Sequence, residues 1–391
     1  MKRTIIITAI VAFGFNLFAQ NAIDNVLTEI EKNNTTLSAY RKTIDAEKIG
    51  NKTGLTPQNP EVEFNYLWGN PSAIGNRTDF SIRQSFDFPT VYSHRNQIAN
   101  IKNEQTELEY LKQRREIQFQ ARLLCADLLY YNSLYVEISK RHDNAKQLAD
   151  AYKAKLDIGE TGVLEYNKAQ MNFLNISKDL EKVEIERKAL QSELNRLNGG
   201  IAIVFAETNL PMHIISPDFE QWYATAEQNN PVLKWVKTEI LVREKQSKLA
   251  VSQSLPKFYA GYMSEKVVGQ QFQGVTVGIT IPLWENKNAI KYAKANTLAV
   301  QSVEADAKLQ FYNEMKTLHA KAITLQSSVA DYRTKLASFS NTWLLQKALD
   351  KGEISLAEYF FELSLYYESV DKLLGAEKEL NSAYAGLSMY Q

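Results

Sequence analysis

Residues 159–166 read GETGVLEY, and residues 352–359 read GEISLAEY. Each octapeptide stands between two long stretches of helical pattern, and the pair is offset by 193 positions. From Thr90 to Ile158 there is neither Gly nor Pro, and from Leu283 to Lys351 there is none either. Roughly 70 helical residues at about 1.5 Å each reach about 100 Å. Two helices that face each other need an apolar residue at alternating three- and four-residue steps. Stepping back from the first octapeptide gives Leu156, Tyr152, Ala149, Ala145 and onward to Leu124; stepping forward gives Tyr166, Ala169, Phe173, Ile176 and onward to Leu197. The second octapeptide is flanked in the same way, from Trp343 back to Phe311 and from Tyr359 on to Leu387. The octapeptides therefore read as tips of two antiparallel helical hairpins. His142 and Arg187 interrupt the first seam and Glu377 the second; His142 and Arg187 read as satisfied polar contacts, and Cys125 as a small packing residue.

Chemistry at each tip supports the turn. Gly159 and Gly352 stand where a helix must stop, a position that favours a left-handed residue. Ser355 with Glu358 three residues on has the spacing of a capping box for the returning helix. In the first tip Gly162 replaces that serine, and Thr161 is the cap expected there.

Further matches recur at nearly the same offset. Asn33-Asn34 and Leu37 recur as Asn229-Asn230 and Leu233; Pro60 and Tyr66 recur as Pro256 and Tyr262. Shared order and spacing imply an internal duplication, the feature to seek first in a long chain. The first repeat spans 20–198, with a helix, strands 61–68 and 79–88, and a hairpin tipped at 159–162. A linker, 199–217, carries Gly199-Gly200, Pro211 and Pro217. The second repeat spans 218–391, with a helix, strands 257–263 and 275–281, and a hairpin tipped at 352–355.

Alternation identifies the strands, because successive side chains of a strand point to opposite faces. Val62, Phe64, Tyr66 and Trp68 alternate with Glu61, Glu63 and Asn65. Phe80, Ile82, Phe86 and Phe88 alternate with Asp79, Ser81, Arg83, Ser85 and Asp87. In the second repeat Phe258 and Tyr262, then Val275, Val277, Ile279 and Ile281, form the apolar rows. Gly269 and Gly274 are placed in the connection between them.

The N-terminus has the layout of a cleaved secretory signal over 1–19: Lys2 and Arg3, an apolar run to Phe18, then Ala19. No Cys follows the cut. After it no run of about 20 apolar residues exists, so the chain enters a membrane only as strands. A greasy face backed by a polar one is the pattern of an outer-membrane barrel strand, but four strands cannot close a barrel of about eight or more. Any open edge leaves unpaired peptide groups in lipid, so copies must share the wall.

Other classes find no support. Forty-five basic and 45 acidic side chains cancel, leaving no field to attract nucleic acid. His94, His142, His213, His319 and Cys125 are scattered, against a zinc or nucleophile site. No phosphate-binding or nucleophile-elbow motif is present, so no catalytic residue, metal or cofactor is expected. Glu61 and Glu63, as alternate residues of one polar strand face, suit a wetted lumen better than an acid/base pair. A secreted coiled-coil scaffold or adaptor without a pore is the alternative; it accounts for the hairpins but not for four alternating strands.

These residues resemble a known family. The N-N-x-x-L helices, the strand pairs ending QSFDFP and ITIPLWENKN, and the G-E tips look like the TolC outer-membrane efflux proteins, over about 21–391. NPEVEF and IPLWENKN are most similar to the heavy-metal efflux branch of the CusC/CzcC type. Departures are the absent lipid-anchor Cys and Asn34-Thr35 where the second half has Asn230-Pro231. The resemblance implies a mainly α fold with a small β part: duplicated long hairpins forming an α-barrel, and four strands contributing to a shared 12-stranded barrel. It implies a homotrimer in the bacterial outer membrane whose helical barrel extends into the periplasm, meeting a periplasmic adaptor (membrane fusion protein) and an inner-membrane pump as the exit duct of a tripartite efflux system. By the same resemblance, Gly159, Glu160, Thr161, Gly162, Gly352, Glu353, Ile354 and Ser355 dock the adaptor. Asp157, Glu160, Glu165, Asp350, Glu353 and Glu358 are candidates for carboxylate rings at a periplasmic mouth, since a ring favours cations. The apolar rows named above, with Trp68 and Phe88, are the lipid-facing set.

Overall fold

The computed structural model describes residues 22–211, 214–339 and 342–391; the expected signal segment, 1–19, and His213 lie outside them. Helix α1 covers 22–33 and α2 Thr35–Gly50. Strands β1 (Glu61–Leu67) and β2 (Arg77–Phe86) follow, then α3 (Pro89–Asp157) and α4 (Val163–Leu197). The second half runs α5 (Phe219–Asn229), α6 (Pro231–Gln253), β3 (Lys257–Val267), β4 (Gln270–Thr280), α7 (Ala289–Ser338), α8 (Thr342–Asp350) and α9 (Leu356–Ser388). The chain is thus mainly helical with one small sheet.

Two compact units share these elements. One holds the chain up to Ser38, Gln113–Asn229 and Tyr312–Gln391; the other holds Ala39–Lys112 and Asn230–Phe311. Both draw on both halves of the sequence.

The asparagine pairs explain themselves locally. Asn34 interrupts α1 and α2, and its side-chain oxygen accepts from the Leu37 N–H at 2.8 Å. Asn230 interrupts α5 and α6 and accepts from the N–H groups of Val232 and Leu233. Each is an N-cap serving orphan donors of the helix that follows. The neighbouring Asn33 and Asn229 tie to the ends of the returning helices, on Asn198 Oδ1 and Tyr390 O respectively.

The unit containing the strands has a four-stranded antiparallel sheet in the order β1-β2-β3-β4. Val62, Ile82, Tyr262 and Val275 stand in one cross-strand row; Phe86, Phe258 and Ile279 stand in another. Two expectations are corrected here. β3 and β4 run past 263 and begin before 275, because Val268 and Gly269 both take positive φ (46° and 80°) and close a two-residue hairpin. That turn matches strand twist, so the ladder continues through Gly274 to the tip. Sequence alternation fades there because Ser264, Lys266, Gln271 and Gln273 make the apolar face polar near the turn.

The descending arm of the second hairpin also departs from expectation. It is not one helix over 283–351: α7 starts at Ala289 and ends at Ser338, and α8 begins at Thr342. At the lower end Ser338 Oγ donates to the Lys335 carbonyl, and the Phe339 N–H is shared between the carbonyls of Lys335 and Leu336. A Ser side chain competes for backbone partners at a helix end, and no Gly or Pro advertises this one.

Candidate functional site

Three regions concentrate the candidate residues: the sheet, the hairpin seams and the tips. On the sheet, Val62, Phe64, Tyr66, Phe80, Ile82, Phe86, Phe258, Tyr262, Val275, Val277 and Ile279 share one face; Trp68, Phe88 and Ile281 lie just beyond strand ends. All except Phe88 are exposed; Val275 is 86% accessible. The band ends in polar contacts, Tyr262 Oη to Gln273 at 3.0 Å and Asn76 to Tyr66 Oη at 2.6 Å. The reverse face carries Glu61, Glu63, Asp79, Arg83 and Glu265, with Arg77 paired to Asp79 at 2.8 Å and to Glu265 at 3.3 Å. Outer edges of β1 and β4 have no strand beside them among the described residues.

Sequence reading missed one feature of that polar face. Tyr259 stands opposite Gly278, and Arg83 lies over its ring, 5.2 Å from the centroid. A Cβ at Gly278 would fall 2.3 Å from the tyrosine ring, so only glycine leaves room for the ring to lie flat. A Tyr facing a Gly in the register was the available signal, but the register was needed to see it.

In the other unit, each polar seam residue has its partner. His142 lies against the Phe173 ring at 5.2 Å. Arg187 donates to Asn132 Oδ1 at 2.8 Å and stacks over Tyr135. Buried Glu377 accepts from Arg333, whose guanidinium also reaches the Leu210 carbonyl. Burial raises the Glu377 carboxyl above its ordinary range, with Arg333 pulling the other way. Cys125 is buried, and burial pushes its thiol up to about 12, so it packs and does not react. Arg141 joins the two hairpins: it is buried, bidentate on Asp371 at 2.7 and 3.0 Å, and over the Tyr367 ring at 4.3 Å. Residues 230 apart in sequence gave no sign of that contact.

The tips are two copies of one turn. Gly159 has φ 77° and Gly352 φ 70°. In the first, Glu160 N–H reaches Lys155 O and Gly159 N–H reaches Leu156 O; in the second, Glu353 reaches Ala348 O and Gly352 reaches Leu349 O. This is the paired bonding of a Schellman motif, with glycine at its left-handed position. Ser355 and Glu358 form the full capping box on α9, and its bonds to Ser355 hold the Glu358 carboxyl below its ordinary range. Thr161 does not cap α4: Gly162 occupies the N-cap with φ −89° and no side-chain bond, since the chain turns one residue later. One apolar cluster joins both tips, from Ala149, Tyr152 and Ala169 of the first hairpin to Leu349, Leu356 and Tyr359 of the second. Burial pushes the Tyr359 hydroxyl up to about 12, and it donates to Gln346 Oε1 at 2.9 Å.

Of the six tip carboxylates, Asp157 faces Lys153 at 3.8 Å, Glu165 faces Lys168 at 2.7 Å and Glu353 faces Lys351 at 3.8 Å. Asp350 accepts from Gln346, and Glu358 is held in its cap. Glu160 is exposed. Among the described residues no three His, Cys, Asp or Glu side chains gather as metal ligands, and no helix is long and apolar enough to cross a membrane.

The described residues thus form paired helical hairpins and a four-stranded sheet. No family model and no curated protein matches the sequence. Solved structures do match. CusC aligns with TM-score 0.78 at 14% identity, covering 94% of this chain and 91% of that one. The CmeC outer membrane channel of Campylobacter jejuni aligns with TM-score 0.74 at 13% identity, covering 94% and 85%. The outer membrane protein VceC of Vibrio cholerae aligns with TM-score 0.71 at 12% identity, covering 94% of each. At such identities the likeness is one of fold, and it is the fold that the resemblance to the TolC proteins implied.

Proposed function

We propose that this chain is one third of an outer-membrane exit duct. The observation that carries the reading is the sheet: an exposed apolar face on every strand, a charged reverse face, and two edges without a neighbouring strand among the described residues. Water penalises the first, and lipid penalises unpaired edges by several kcal/mol per peptide group. Closure with identical sheets satisfies both, placing the apolar rows against lipid and Glu61, Glu63, Asp79 and Arg83 along a wet lumen. Three copies supply 12 strands, enough to close a membrane barrel. The two halves read as repeats of one design, which lets the copies build a wall of alternating, near-equivalent hairpins. In this reading the hairpins stand in the periplasm, the tips dock an adaptor that links the duct to an inner-membrane pump, and cargo leaves the cell through the lumen without covalent chemistry.

Conductance tests it. Purified protein added to a planar bilayer should give discrete steps of uniform size. Absence of steps from protein that is folded and membrane-inserted would contradict the duct. In the same assay, Glu160→Gln with Glu353→Gln should lower cation selectivity if the tip carboxylates form rings; unchanged selectivity removes them from the mouth.

A further inference from the structure

The two faces of the sheet carry charge very differently. The reverse face holds Glu61, Glu63, Asp79 and Glu265 together with Arg77, Arg83 and Lys257. The apolar face holds no Asp or Glu among the described residues, and its one charged residue is Lys266. Lys266 is exposed and has no carboxylate partner among the described residues. The acids nearest to it along the ladder, Asp79 and Glu265, stand on the other face and are paired with Arg77. Lys266 belongs to the row Tyr66, Thr78, Lys266, Gln271, one step beyond the row Phe64, Phe80, Ser264, Gln273. Around it the face turns to amides and hydroxyls that bond one another. Gln271 donates to Ser264 Oγ at 3.0 Å, Tyr262 Oη to Gln273 Oε1 at 3.0 Å, and Asn76 to Tyr66 Oη at 2.6 Å. A strand lysine can serve to protect an open sheet edge. That role does not apply here, because β3 lies between β2 and β4.

The ladder also fixes the level of Lys266. Its partner Gln271 lies ten residues from Ile281, the apolar residue just beyond the other end of β4. Ten residues at about 3.4 Å each, tilted by about 40°, rise about 26 Å. The apolar band of an outer-membrane wall is about 25 Å tall. Lys266 therefore stands where hydrocarbon gives way to headgroups, at the hairpin end of the sheet and opposite the end joined to the helices.

Resting on the reading above, which puts this end of the sheet in the outer leaflet, we infer that Lys266 and the polar side chains around it bind the headgroup of a phosphorylated glycolipid. Charge identifies the anion: a face with one unpaired ammonium and no carboxylate attracts a phosphate and offers a cation no counter-charge. The neutral neighbours identify the rest. Thr78, Ser264, Gln271 and Gln273 provide both donors and acceptors, which suit the hydroxyls of a sugar, whereas a small phospholipid headgroup leaves most of them unused. The acyl chains then lie along Ile82, Tyr262, Val275 and Val277, all exposed on the same face. In a shared wall the patch recurs once per copy, so the lipid is held at evenly spaced points around the rim.

Native mass spectrometry of the detergent-extracted particle tests this, with three lipids titrated in turn: a bisphosphorylated, acylated glucosamine disaccharide, the same lipid without its phosphates, and phosphatidylglycerol. The wild type should take up the bisphosphorylated glycolipid at one per copy and bind the other two more weakly. Lys266→Gln should weaken uptake of the bisphosphorylated glycolipid about fivefold, and Lys266→Arg should retain it. Equal uptake by the wild type and Lys266→Gln overturns the proposal. So does no uptake, loss of binding in Lys266→Arg, or binding of either other lipid as tightly as the bisphosphorylated glycolipid. Wild-type conductance in a planar bilayer keeps the two readings apart: a conducting protein that fails these tests loses only this inference, whereas a non-conducting one loses the duct.

Discussion

The two hairpins invite comparison because their turns agree and their surroundings do not. Gly159 and Gly352 take the same left-handed conformation and the same bonds. Around them, α3 runs unbroken from Pro89 to Asp157, while the second descending arm is divided between α7 and α8. The second tip is capped by Ser355 and fills the core; the first has Gly162 and stays exposed. The lesson is that backbone geometry constrains a tip narrowly and side-chain exposure hardly at all.

The largest effect should come from the seam polar groups, where the hairpins differ in sign. Glu377→Ala removes a buried carboxylate and leaves Arg333 only the Leu210 carbonyl, and should cost about 2 kcal/mol. Arg187→Ala removes a half-exposed cation from Asn132 and should cost about 1 kcal/mol. Thermal unfolding of the purified protein orders them, and a reversed order would show that the first seam depends more on its polar contact. Next comes a test of equivalence. Gly159→Ala and Gly352→Ala each place a Cβ at positive φ and should each destabilise by about 1 kcal/mol. Since no atom lies within 4 Å of an added Cβ at either glycine, a large difference between them would mean the turns are not alike.

Caps give a smaller contrast. Ser355→Ala should cost about 1 kcal/mol, whereas Gly162→Ser should gain a few tenths by creating a capping box with Glu165. Amide exchange in the first turns of α9 and α4 reads both changes. The smallest effect is in pH. The Glu358 carboxyl is held below its ordinary value by its cap, so its contribution is present above about pH 4.5 and is lost as pH falls through the lowered value. Exchange at Tyr359 should accelerate on acidification while exchange at Tyr166 does not, because Gly162 makes no side-chain bond.

Legibility in the sequence followed the range of the interaction. The strands could be read where Val62, Phe64, Phe80 and Ile82 alternate with polar residues, because the pattern and pairing share a period of two. Beyond Met263 the ladder continued while the pattern stopped, so β3 and β4 were read short. Gly352 and the Ser355–Glu358 box were legible because a cap involves only neighbours. Thr161 stands one residue before the N-cap that Gly162 occupies, and Thr and Gly both suit that position. The α7–α8 division escaped because no Gly or Pro marks it. Arg141 on Asp371, Tyr259 over Gly278, and the exposure of Val163 against burial of Leu356 required the tertiary structure, since each depends on what lies across a gap that the sequence does not count.

The proposed duct requires that one chain provide only part of a closed β-wall. Native mass spectrometry of the detergent-extracted protein measures the number of copies directly. Three copies in one particle is the expected result; a single copy that stays monodisperse after the detergent is withdrawn would contradict the account.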